Sequence, residues 1–134
     1  MGWDIAVVSP KTLPPPPAEE LTDDDCQPMG TADKVRASIS RHLPATDWSD
    51  PAWGIYAGDG FTFEFDLGHR KKINSFIVAV RGEGDAISAL LQSCVPNRWL
   101  LIDVSDGEYI DADHPSQEGW ESFQAFRDKT LEEE

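Results

Sequence analysis

The 134 residues carry 25 acidic and 11 basic side chains, a net charge of −14. A chain of this length buries roughly 65% of the surface that its unfolded form exposes, so a single domain with one core is expected. The acidic excess excludes a binder of nucleic-acid backbone, which needs clustered lysine and arginine to release counterions, and it favours a basic partner.

The charge is uneven along the chain. Residues 1–30 hold six acids against one base, residues 31–130 hold sixteen against ten, and the last four residues add three acids. The central body is therefore acidic in its own right. The start, Met1-Gly-Trp-Asp-Ile-Ala-Val-Val-Ser-Pro10, has an acid at Asp4, no basic n-region and an apolar run too short for a secretory leader. No run approaches the length of a membrane span. Cys26 and Cys94 are far apart and lack metal or redox spacing. A soluble cytoplasmic protein with reduced thiols is expected.

Trp3 to Val8 reads as a first strand, with Trp3, Ile5 and Val7 on one face. Residues 9–30 form an acidic, irregular connection: Pro14 to Pro17 favour polyproline II and forbid helix, and Asp23 to Asp25 follow. Thr31 to Leu43 reads as a helix capped by Thr31 or Asp33, with Val35, Ile39 and Leu43 at four-residue spacing. Pro44 ends it. His42, in the last turn, is a cation suited to the helix dipole.

Asp47 to Trp53 reads as a loop leading into a hairpin, Trp53 to Ala57 and Phe61 to Asp66, around Gly58-Asp-Gly60. Phe61, Phe63 and Phe65 alternate with Thr62, Glu64 and Asp66, so one face is buried and the other wet. Trp48 fits neither strand pattern and reads as a plug over the end of the core or as an interface anchor. Ile73 to Val80 is apolar on both faces toward its end and marks a central strand, preceded by the basic turn Gly68 to Lys72. Ala86 to Cys94 reads as a helix that Asp85 can cap, with Ile87, Leu90, Leu91 and Cys94 on one side. Trp99 to Val104 and Glu108 to Ile110 form a second hairpin around Ser105-Asp-Gly107. Pro115 and Ser116 open a third helix through about Lys129, with Trp120, Phe123 and Phe126 inward, and residues 131–134 are expected to fray. The order of elements describes an α+β domain: one mostly antiparallel sheet of five or six strands with three helices against it.

No catalytic signature emerges. Gly82-Glu-Gly84 stands between a strand and a helix, but Glu83 and Asp85 would repel a phosphate and no lysine accompanies the glycines. Cys94 lies on an apolar helix face, where a thiol packs rather than reacts. No serine sits in a nucleophile elbow. Asp103, Asp106, Glu108, Asp111, Asp113 and His114 crowd one region and supply the alternative reading of a small-molecule or divalent-metal site, with hydrolysis as its chemistry. Their spacing matches neither an EF-hand loop nor a zinc site. No cofactor is called for.

Trp3-Asp4, Asp47-Trp-Ser-Asp-Pro-Ala-Trp-Gly54, Gly58-Asp-Gly-Phe61, Val80-Arg-Gly-Glu-Gly-Asp85 and Gly107-Glu-Tyr-Ile-Asp111 together resemble a group of small uncharacterised bacterial proteins. In type, though not in motif, the chain is similar to immunity proteins that neutralise toxins delivered between bacteria. That resemblance implies a non-enzymatic protein that masks a basic toxin or effector domain. The residues expected to meet the partner are Asp47, Trp48, Asp50, Trp53, Asp59, Glu64 and Asp66.

Overall fold

A computed structural model gives the fold for residues 3–12, 14–82, 86–105 and 107–110. Nine strands and two α-helices are found among these residues: β1 (Trp3–Val8), β2 (Gly30–Thr31), α1 (Ala32–His42), β3 (Asp47–Asp50), β4 (Trp53–Ala57), β5 (Phe61–Asp66), β6 (Lys72–Ile73), β7 (Ser75–Gly82), α2 (Ala86–Cys94), β8 (Leu100–Asp103) and β9 (Glu108–Tyr109). Seven of the strands make one sheet in the order β3-β4-β5-β7-β1-β8-β9, with every neighbouring pair antiparallel. β2 and β6 form a separate two-stranded pair. The α+β expectation stands, with β7 at the centre of the sheet.

The strand count is corrected from five or six to seven. The added strand is β3, the segment expected to be a loop. Its sequence Asp-Trp-Ser-Asp has little intrinsic β preference, and it pairs with β4 through Asp47 opposite Ile55 and Asp50 opposite Trp53, with a register irregularity between. Pairing with a well-formed hairpin outweighs local propensity. The central strand is also shorter at its start than expected, because Ile73 belongs to β6 and β7 begins at Ser75. The third helix expected over 115–129, and the capping role of Asp85, lie outside the described residues.

α1 and α2 cover one face of the sheet. Thr31 caps α1 as expected, its Oγ1 accepting from the Lys34 amide at 3.3 Å. Val35 and Ile39 from α1, Leu43 at its C-cap, and Ile87, Leu90, Leu91 and Cys94 from α2 meet Trp3, Ile5, Val7, Phe63, Phe65, Phe76, Val78 and Val80 from the strands. The phenylalanine ladder is interior: Phe63 is 0% and Phe65 1% exposed. Each such side chain contributes on the order of 1.5–3 kcal/mol through removal of apolar area from water. An aromatic chain runs onward through the core, from Phe65 to Phe76 at 6.3 Å between ring centroids and from Phe76 edge-on to Trp99 at 5.5 Å.

The proline-rich segment is tied to the domain. Its two legs bond to each other, Lys11 donating to the Asp25 carbonyl and Gln27 to the Ser9 carbonyl, both at 2.8 Å. The Tyr109 hydroxyl donates to the Pro16 carbonyl at 2.8 Å and holds the segment against β9. Burial, together with the charges of Cys26 and Asp25, raises the Tyr109 phenol above its ordinary value. Cys26 and Cys94 are both free thiols. No helix among the described residues is long and apolar enough to cross a membrane.

Candidate binding surface on the second face of the sheet

Side chains directly opposite each other on neighbouring strands share a face, so the register defines what the second face of the sheet carries. One cross-strand row runs Asp47, Ile55, Glu64, Ala79, Asp4. The next runs Asp50, Trp53, Asp66, Ile77, Ala6, Ile102, Tyr109. In both rows carboxylates alternate with apolar side chains along the first four or five positions. Trp53 is 38%, Ile55 43% and Ile77 39% exposed, which makes them large apolar groups left in water beside acids.

Local hydrogen bonds orient these acids. Asp47 Oδ1 accepts from the Ser49 amide at 2.8 Å and from Ser49 Oγ at 2.6 Å, which holds its carboxyl below the usual value. Asp50 Oδ1 accepts from the Ala52 amide at 3.0 Å, and Asp66 Oδ1 from the Gly68 amide at 3.1 Å. Glu64 is met by Arg81 at 3.4 Å. Beside Asp66 and Ile77 a recess of about 350 Å³ opens, lined also by Asp23 of the tied segment and by the turn bearing His69 and Arg70.

Of the seven residues singled out in the sequence, Asp47, Asp50, Trp53, Glu64 and Asp66 lie on this face. Asp59 is exposed in the loop between β4 and β5. Trp48 points to the other face. It is half-buried against the core, its Nε1 donates to Ser40 Oγ at 3.1 Å, and its ring centroid lies 6.1 Å from that of Phe65. Of the two readings of Trp48, the structure gives the plug. Ile55, Ile77 and Asp4 complete the face and escaped sequence reasoning. The available signal was the strand at Ile77, apolar on both sides although the described helices, α1 and α2, cover only one.

The residues of the alternative metal site are placed as follows. Asp103 is 4% exposed and its Oδ1 accepts from Trp3 Nε1 at 3.1 Å, Ser105 N at 2.9 Å and Ser105 Oγ at 2.6 Å. This carboxylate clamps the first strand to the β8–β9 turn. Glu108 stands opposite it across β8 and β9 and is exposed. Asp106, Asp111, Asp113 and His114 lie outside the described residues. Among the described residues no group of three or more histidine, cysteine or acidic side chains is gathered to hold a metal ion. Cys94 is buried and its thiol is pushed up to about 12, the condition of a packing group rather than a nucleophile. Compared with known proteins, the chain matches no family model, no curated protein in sequence and no solved structure.

Proposed function

We propose that the chain is a non-enzymatic binding protein whose second sheet face masks a basic protein, in the manner of an immunity protein that neutralises a toxin or effector domain. The observation that carries this reading is the alternation in the two cross-strand rows, where exposed Trp53, Ile55 and Ile77 are interleaved with Asp47, Asp50, Glu64 and Asp66. Apolar anchors among predominantly acidic side chains, with Arg81 beside Glu64 as a basic exception, are the composition of a surface that steers an oppositely charged partner and then desolvates against it. The net charge of −14 extends the attraction beyond the contact itself.

The test is capture from the native cell by the intact chain and by a variant carrying Asp47→Asn, Asp50→Asn and Asp66→Asn, followed by kinetics on the purified pair. A basic protein that forms a stoichiometric complex with the intact chain, associates at least tenfold more slowly with the variant and slows steeply between low and high salt supports the reading. A partner whose association rate ignores both the substitutions and the salt overturns it.

A further inference from the structure

The span Pro14 to Asp24 of the proline-rich segment stands against the second face without being packed into it. Across the sheet, the exposed Trp53 and Ile77 are followed in the same row by Ala6, Ile102 and Tyr109, which are half-buried. Ile102 and Tyr109 line an open hollow of about 610 Å³ together with Pro17, Ala18 and Glu19. None of the residues from Pro14 to Asp24 is buried. By contrast, the base of the segment is firmly tied: Ser9 and Pro10 are buried, Pro10 pairs with Cys26, and the Met29 amide donates to the Ile73 carbonyl at 2.7 Å. Among the described residues, the hydrogen bond from the Tyr109 hydroxyl to the Pro16 carbonyl is the one that joins the span to a strand.

Releasing that bond strands no backbone group. Pro14 to Pro17 have no amide protons to satisfy, the Pro16 carbonyl turns to water, and the Glu20 and Leu21 amides donate within the span itself, to Pro17 and Ala18. Four consecutive prolines, with Pro17 at φ −51° and ψ 144°, make a stiff polyproline II arm that swings rather than crumples. A stretch with few buried contacts opens at the low end of the local stability range. We infer that the span is a hinged cover: it swings on the Ser9–Gln27 and Lys11–Asp25 bonds, with Tyr109 as its latch, and uncovers Ile102 and Tyr109 so that the apolar row continues from Trp53 to β9. This is a movement of the chain itself and goes beyond the binding reading, since it requires no particular partner.

The experiment is nitrogen-15 relaxation dispersion on the full chain, on its Tyr109→Phe variant and on a variant in which Gly-Ser-Gly replaces residues 14–24. Phenylalanine keeps the ring and removes the latch, which shifts the opening equilibrium by a factor of about 2–10. Exchange on the microsecond-to-millisecond scale at Ala18, Leu21, Ile102 and Gly107 with one shared rate, and an open fraction larger by about twofold or more in Tyr109→Phe, support the inference. So do Ile102 and Gly107 amide shifts that fall on one line from the parent through Tyr109→Phe to the replacement variant. Absence of exchange at these amides in both the parent and Tyr109→Phe, exchange of the span without Ile102 and Gly107, or an open fraction unchanged by Tyr109→Phe overturns it. A replacement variant that fails to fold also overturns it, because the span would then be scaffold rather than cover. No partner enters the measurement, so its outcome is separate from that of the capture test on the face.

Discussion

Trp48 and Gly54 are packed so closely that a β-carbon on Gly54 would lie 2.5 Å from the indole ring. The plug on β3 thus requires a bare backbone on β4 beneath it. Gly54→Ala forces the ring off its seat over Phe65 and is expected to destabilise by about 1–3 kcal/mol. Gly82 faces a harder obstacle, since its β-carbon would lie 2.3 Å from the Gly60 carbonyl oxygen and its φ is +95°. Backbone cannot swing away as a side chain can, so Gly82→Ala is expected to cost more than Gly54→Ala. Urea unfolding of the two variants checks the order.

The two tryptophans that flank the sheet edge are expected to separate stability from binding. Trp48→Ala removes a half-buried ring and its bond to Ser40, and should lower stability by about 2–4 kcal/mol. Trp53→Ala removes a ring that is 38% exposed, and should change stability by less than about 1 kcal/mol while weakening the partner complex at least tenfold. Thermal melts and titration calorimetry, run side by side, check both halves.

Asp103 is expected to behave as a structural clamp. Asp103→Ala removes the acceptor shared by the buried Trp3 indole N–H and the exposed Ser105 donors, at a cost of about 1–3 kcal/mol. Asp103→Asn retains an acceptor at the same place and should lose less. Chemical denaturation compares them, and equal stability of the alanine variant and the parent would contradict the clamp.

The thiols give a pH prediction with a definite sign. Cys94 is raised from 9.0 to about 12 by burial. Its folded value lies above its unfolded one, so its contribution is fully present below about pH 9 and is lost as pH rises through 12. Stability should fall across that window by at most about 1.4 kcal/mol per pH unit from this group, and less steeply in Cys94→Ala. At pH 8 a thiol reagent should modify the half-buried Cys26 first, although burial and the neighbouring Asp23 and Asp25 raise that thiol too. Cys94 should react only on unfolding. Mass analysis of the modified chain distinguishes them.

Where apolar spacing was regular, the elements were legible: the Phe61–Phe65 alternation, the Val35-Ile39-Leu43 stripe and the Thr31 cap all appear as the residues imply. β3 was not legible, because Asp47 and Asp50 are poor strand formers and the segment is held by its neighbour rather than by its own preference. The acids of the face were legible as a wet strand side. Their alternation with Trp53, Ile55 and Ile77 was not, because it is a property of register across four strands, β3, β4, β5 and β7, which linear spacing does not reveal. The plug role of Trp48 was open for the same reason: which face its ring takes is set only once β3 and β4 are paired.

The carboxylates on β3 bear on the molecule's dealings with its own kind. A terminal strand with open amides invites a second copy to extend the sheet, yet any copy laid antiparallel along this border would bring its own Asp47 and Asp50 against these. Self-association along this border is thereby repelled by the same charges that the proposed basic partner would meet.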